Sequence, residues 1–193
     1  MSNSLLVRPL TPDLTDDFQA VMGPNGACYG CWCTLFTLRP KVRQAMTGDQ
    51  RRDHMLARVA EGPPPGLLLW VDGAPAGWMQ IGPRAAVPEW NNPRRSSTPL
   101  PDAPADDPGV WAVTCFFLRS PYRGKGFSHA LLAAGIGHAR DNGARLLEAS
   151  PMDHAKRSKS IGLFVGSTAV FENAGFTVVA RHKPNRPLMR LGL

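Results

Sequence analysis

Apolar residues recur along this chain with two periods, and the changes between them mark its elements. LLVRPL at 5–10 reads as a short strand. Thr11-Pro12 then offers a helix cap followed by proline at the first helical position, where its missing N–H is not needed. Leu14, Phe18 and Met22 return every four residues, so the spacing predicts an amphipathic helix over 12–22. Thr47 with Gln50 is a capping-box pair. Met55, Leu56 and Val59 give the following helix one apolar face, and Gly62 with three prolines ends it. GLLLWVDG at 66–73 predicts a strand closing on an Asp-Gly turn, with AGWMQIG at 76–82 as its hairpin partner. VWAVTCFFL at 110–118 is apolar without alternation, as in a central strand buried on both faces. A helix starts near Gly126 or Phe127 and turns Phe127, Leu131, Leu132 and Ile136 inward. Leu146–Ala149 is a strand, Thr168–Asn173 a short helix stopped by Gly175, and TVVARH and LMRLGL are two last strands. The order β-α-α-β-β-β-α-β-α-β-β predicts an α/β domain with a mixed sheet.

Composition narrows this picture. A chain of 193 residues that is 43% hydrophobic can bury one sizeable core, so a single domain over 1–193 is expected. No run of 18 apolar residues suggests a membrane span. The start, MSNSLLVRPLTPD, lacks the basic-then-apolar order of a secretory signal, so a soluble cytoplasmic protein is the expectation. The net charge of +7 favours an anionic partner: nucleic acid, an acidic membrane or a phosphorylated small molecule. No basic run interleaves with aromatics, and the densest, His154 to Lys159, reads as a solvated loop. Neither nucleic acid nor membrane is therefore expected as a partner. Residues 85–108 hold six prolines and few apolar positions, which predicts a long excursion between strands.

The segment with chemistry in it is Arg123-Gly124-Lys125-Gly126-Phe127-Ser128, between the central strand and a helix. Glycines let backbone approach a ligand closely. The first amides of a helix lack internal partners and carry the positive end of its dipole. Together they make a pyrophosphate cradle, with Arg123 and Lys125 adding charge. A P-loop is excluded because GxxxxGK[ST] is absent, and a dinucleotide fingerprint fails at His129, where a third glycine is required.

Strand, R-G-K-G-F-S and helix resemble motif A of the GNAT superfamily of acyl-CoA-dependent N-acyltransferases, whose pattern is [Q/R]-x-x-G-x-[G/A]. Ser128 departs from its last position. VFENAGF at 170–176 is similar to the family's short helix and strand entry. The resemblance implies a mixed sheet of about seven strands flanked by helices and splayed between strands 4 and 5. It implies acetyl-CoA as co-substrate, held by the backbone of Phe116, Phe117 and Leu118 and by residues 123–128. It implies transfer of acetyl to a primary amine of a small molecule or peptide, by direct attack through a tetrahedral oxyanion. The tyrosine that commonly protonates the leaving thiolate is Phe171 here, and Phe164 stands where an asparagine is frequent. The fourth strand carries no acid, so the base is sought in Glu148 first, then Asp153 and His154; the alternatives are a pairing of Glu148 with an arginine at the sheet edge and a solvated loop position for His154. A catalytically silent acyl-CoA-binding module is the alternative, and a homodimer stays open.

Cys28, Cys31 and Cys33 lie in GACYGCWC. Zinc needs a fourth ligand, and only Cys115 remains. A redox pair is a further alternative. The reading adopted is a loop packed by small polarizable side chains. In the resembled family this loop borders the acceptor, so Trp32 and the cysteines are expected to shape that pocket. Trp78 and Trp90 are added as aromatic wall, Trp90 as a lid contact, with core on a sheet face as the other reading of Trp78.

Overall fold

Six consecutive buried residues, Gly66–Val71, form strand β2 and set the layering of the molecule. Leu67, Leu69 and Val71 point into one core, while Leu68 and Trp70 point into another on the opposite face. The computed structural model describes residues 3–153 and 164–193. His154 and the basic run after it lie outside the described residues.

The elements are β1 (Leu5–Pro9), α1 (Thr15–Met22), α2 (Pro40–Ala45), α3 (Gly48–Glu61), β2, β3 (Ala74–Pro83), β4 (Val110–Leu118), α4 (Phe127–Asp141), β5 (Leu146–Ala149), α5 (Thr168–Asn173), β6 (Thr177–Lys183) and β7 (Arg186–Gly192). They build a mixed seven-stranded sheet in the order β1-β2-β3-β4-β5-β7-β6. Only β4 and β5 pair in parallel; the other neighbours are antiparallel. The β2–β3 hairpin turns on Asp72 and Gly73, both at positive φ, as an Asp-Gly turn requires.

Helix α4 covers one face with Phe127, Leu131 and Leu132, and α1 and α3 cover the other with Phe18, Met22, Met55 and Val59. Gly135 lets α4 lie close on β3, because a Cβ there would overlap the Met79 side chain. A third small core of Phe36, Val87, Trp90, Ala112 and Leu188 lies under the proline-rich excursion, which is therefore packed down on the sheet.

Two local expectations need correction. Residues 12–14 form a tight 3-10 turn before α1, and the Thr11 hydroxyl donates to the Asp13 carboxylate instead of capping an amide. Helix α2 escapes the periodicity because none of its residues is buried.

The placement of the site follows from β4. Its pairing with β5 runs from Val110–Leu146 to Val113–Ala149, where β5 ends while β4 continues to Leu118. Against β3 the register jumps from Ile81–Val113 to Gln80–Cys115, leaving Thr114 as one extra residue. That bulge changes the phase of the strand. Trp111 and Val113 before it, and Phe116 and Leu118 after it, all pack on the α4 side. Cys115 and Phe117 pack on the other.

The Thr47–Gln50 capping box at the start of α3 is present in both directions. Thr47→Ala is expected to cost about 1 kcal/mol, read from the midpoint of urea unfolding.

Candidate active site

The glycine-rich turn leaves open space at the head of α4. Gly124 and Gly126 have φ of 72 and 80, and no atom lies within 4 Å of a Cβ built on either. The glycines are therefore demanded by their left-handed backbone, and the space above them is open. Gly126 caps α4 with no side-chain hydrogen bond, and of the first-turn amides that of His129 donates to the Gly126 carbonyl at 2.9 Å, which leaves those of Phe127 and Ser128 to a ligand. Arg123, Gly124, Lys125 and Gly126 are exposed and Ser128 is half-buried. The Arg123 Nε donates to the Leu118 carbonyl at 2.7 Å, and its guanidinium lies 5.5 Å from the Phe117 ring centre. This ties the cradle to the protruding end of β4. Phe116 and Phe127 have buried side chains, which leaves their backbone as the part a ligand could meet. Phe171 is fully buried with its ring against Phe116, so no proton donor occupies that position.

On the other face of β4 lies a cavity of ≈ 170 Å³. Cys115 and Phe117 line it from β4, with Phe36, Gln80, Arg43 and Phe164 around them. Cys28, Cys31 and Cys33 also line it. The Cys33 Sγ sits 3.3 Å from that of Cys115 and accepts from Trp78 Nε1 at 3.0 Å. Gln80 completes the joint: its Nε2 donates to the Cys33 carbonyl at 3.2 Å, and its Oε1 accepts from Thr114 at 2.9 Å.

Two of the thiols, Cys31 and Cys33, are held protonated. Burial pushes Cys31 up to about 11, with Cys33 beside it adding to the effect. The hydrogen bond with Cys115 raises Cys33 well above the ordinary thiol range, and burial raises it further. Such groups are neutral pocket wall near pH 7, not thiolate ligands. Among the described residues no group of three or more His, Cys, Asp or Glu is arranged to hold a metal.

The loop pays in backbone strain for this arrangement. Ala27, Tyr29, Trp32 and Cys33 all have φ between 45 and 62, each a cost of roughly 1–2 kcal/mol for a non-glycine residue. Arg51 holds it from α3. Its Nη1 donates to the Gly30 carbonyl at 2.9 Å, its Nη2 to Met46 at 2.8 Å and its Nε to Arg43 at 3.0 Å. No motif marks Arg51 in the sequence.

Three tryptophans depart from expectation. Trp32 is buried against Phe18 and Gly26, and borders a neighbouring hollow rather than the cavity behind Cys115. Trp78 is fully buried against Phe18, and touches the site only through its bond to Cys33. Trp90 is 1% exposed and stacks on Arg84 at 4.8 Å, so it anchors the excursion instead of closing a lid.

Glu148 is likewise committed elsewhere. It is fully buried, with Oε2 paired to Arg84 and Oε1 accepting from Arg190 at 2.8 Å. A substrate ammonium has no approach to it. Arg84 also bonds Asn91 and Ser97, and Arg190 bonds Asp102, so this cluster fastens the excursion to β5 and β7. Asp153 pairs with Arg181 and does not line the cavity.

An uncapped glycine turn beside a wedge between parallel strands points to one architecture. The sequence model of the acetyltransferase (GNAT) family matches residues 32–164. The chain belongs to that family. No curated protein matches it in sequence. Its fold is shared with solved members. The yncA protein of Salmonella typhimurium, solved with its cofactor acetyl-CoA, is 16% identical, covers 99% of this chain and 95% of its own, with a TM-score of 0.55. The PaiA N-acetyltransferase of Thermoplasma acidophilum, in complex with coenzyme A, is 11% identical over 98% of this chain and 99% of its own, with a TM-score of 0.55. The GNAT domain of S. lividans PAT is 16% identical over 99% and 97%, with a TM-score of 0.57. The GNAT sheet, parallel only at β4–β5, accounts for the wedge. Among the described residues no helix is long and apolar enough to cross a membrane.

Two outcomes test this site. Glu148→Ala strands two guanidiniums and is expected to destabilise the fold by about 3–5 kcal/mol in denaturant titration. Iodoacetamide at pH 8 should alkylate Cys31 and Cys33 at least about tenfold more slowly in the folded protein than in urea, read by mass spectrometry.

Proposed function

We propose that this chain is an N-acetyltransferase that moves the acetyl group of acetyl-CoA to a primary amine, acting as a single domain over 1–193. The observation that carries the reading is the position of β4. One edge of its residues 114–118 extends past β5 beside the uncapped turn of α4, and one face forms a wall of the cavity.

In this reading the amides of 124–128 hold the pyrophosphate, with Arg123 and Lys125 adding positive charge. The protruding backbone of Phe116–Leu118 pairs with the pantetheine arm as an added strand would. Bound acetyl-CoA supplies a thioester carbonyl open to attack by an amine. A backbone amide near Phe116 takes the charge that develops on that carbonyl oxygen. The amine enters from the cavity, whose lining is mostly apolar and aromatic. Among the described residues no carboxylate lines the cavity, and in this reading water takes the ammonium proton. Water also protonates the departing thiolate, because Phe171 cannot.

A silent acyl-CoA-binding module is the second reading, favoured by the absent tyrosine at Phe171. Calorimetry with acetyl-CoA and thiol release over a panel of primary amines separate the two. Binding with turnover supports the enzyme, and binding without turnover supports the module. Gly126→Glu places negative charge at the phosphates and is expected to weaken acetyl-CoA binding at least about a hundredfold. Unchanged affinity in that variant would refute the cradle.

A further inference from the structure

The cavity behind Cys115 and Phe117 is small, apolar and carries one charged group out of place. Arg43 lines it, and the Arg43 Nε is buried with no hydrogen-bond partner among the described residues. A buried guanidinium donor left unpaired is expensive, and the expense is removed when a ligand supplies an acceptor. Helix α2, which carries Arg43, buries none of its own residues. It is held from outside, by the Arg51 side chain bonding the Arg43 carbonyl at 3.0 Å and that of Met46 at 2.8 Å. The α3 arginine thus fixes the backbone that presents the α2 arginine.

The rest of the lining selects against other amines. Among the described residues it holds no aspartate or glutamate, so a polyamine or an amino sugar with several ammonium groups finds no counter-charge. Most of its wall is apolar, with Ala27, Leu35, Phe36, Phe117 and Phe164 beside the cysteines, and suits a hydrocarbon body, while Tyr29 and Gln80 add polar edges. At ≈ 170 Å³ it has room for one ring or one branched alkyl group, since an apolar cavity of about 150 Å³ holds benzene.

We infer that the acceptor is a compact primary amine bearing a carboxylate: an α-amino acid with an apolar or aromatic side chain, or a close analogue. The side chain fills the cavity, the carboxylate pairs with Arg43, and the amine is left to face β4. This inference rests on the acetyl-transfer reading above and names its substrate class. The transfer balances without further reactants: the amine nitrogen forms the C–N bond, the C–S bond breaks, and the ammonium proton leaves to water as the thiol is protonated.

The test measures kcat/KM with acetyl-CoA for L-phenylalanine and L-leucine against 2-phenylethylamine and 3-methylbutylamine, which lack only the carboxylate, and against spermidine. Acetyl-CoA affinity is measured in parallel by calorimetry. The amino acids are expected to exceed their matched amines by at least about tenfold. Arg43→Met should bring that ratio down toward one, Arg43→Lys should restore part of it, and acetyl-CoA affinity should stay unchanged in both. Equal use of acids and amines, preference for spermidine, a ratio unmoved by Arg43→Met, or no turnover of any probe would each overturn the inference while leaving acetyl-CoA binding intact. Loss of acetyl-CoA binding in the unaltered protein would overturn the acetyl-transfer reading itself.

Discussion

One extra residue in β4 governs how the molecule divides between core and site. Thr114 bulges from the pairing with β3, so the strand changes phase in its middle. Without that change Cys115 would point toward α4, and Phe116 toward the cysteine loop. With it, Phe116 joins Phe171 and Phe176 in the core beneath the cradle, and Cys115 meets Cys33. The bulged hydroxyl does not idle, since it bonds Gln80, which holds the loop backbone in turn. Because β5 stops at Ala149, the same stretch of β4 has one edge beyond its partner and one face on a cavity. Donor and acceptor sides of the proposed reaction therefore share a few residues of one strand.

A second constraint keeps that strand in place. Arg84, Glu148 and Arg190 form a buried cluster that joins the excursion at 85–108 to β5 and β7. Burial pulls the Arg84 guanidinium down from its ordinary range, and Glu148 opposes that pull. Such a cluster is weak evidence of net stability but strong evidence of specified geometry, because no member can leave without stranding the others. It explains why a proline-rich, polar stretch lies flat on the sheet. It also explains why an acid in the middle of β5, close in sequence to the opening, is buried against two arginines.

The acceptor side is built on different terms. Four non-glycine residues in the cysteine loop hold positive φ, and strain of that kind persists only where surrounding contacts over-determine it. Here Trp32 is wedged over Gly26, and Arg51 bonds loop and helix carbonyls together. The loop thus presents Cys31 and Cys33 too deeply placed to ionise near neutral pH, in the wall of a small, mostly apolar cavity.

Local order set much of this protein before any tertiary contact. Periodicity placed α3 and α4, the unbroken apolar run placed β4, Asp72-Gly73 closed the hairpin, and the spacing of Gly124 and Gly126 before an apolar helix marked the cradle. These are interactions within a turn or a strand, so neighbouring residues suffice to specify them. The roles of Glu148, the tryptophans, Arg43 and the cysteines depended on partners far along the chain. Arg84 and Glu148 are 64 residues apart, and Cys33 and Cys115 are 82 apart. A carboxylate reads alike whether it faces water or two arginines, and a tryptophan reads alike in a core or a pocket. Only the packed sheet, with its phase reset at Thr114, decides which of these environments each side chain occupies.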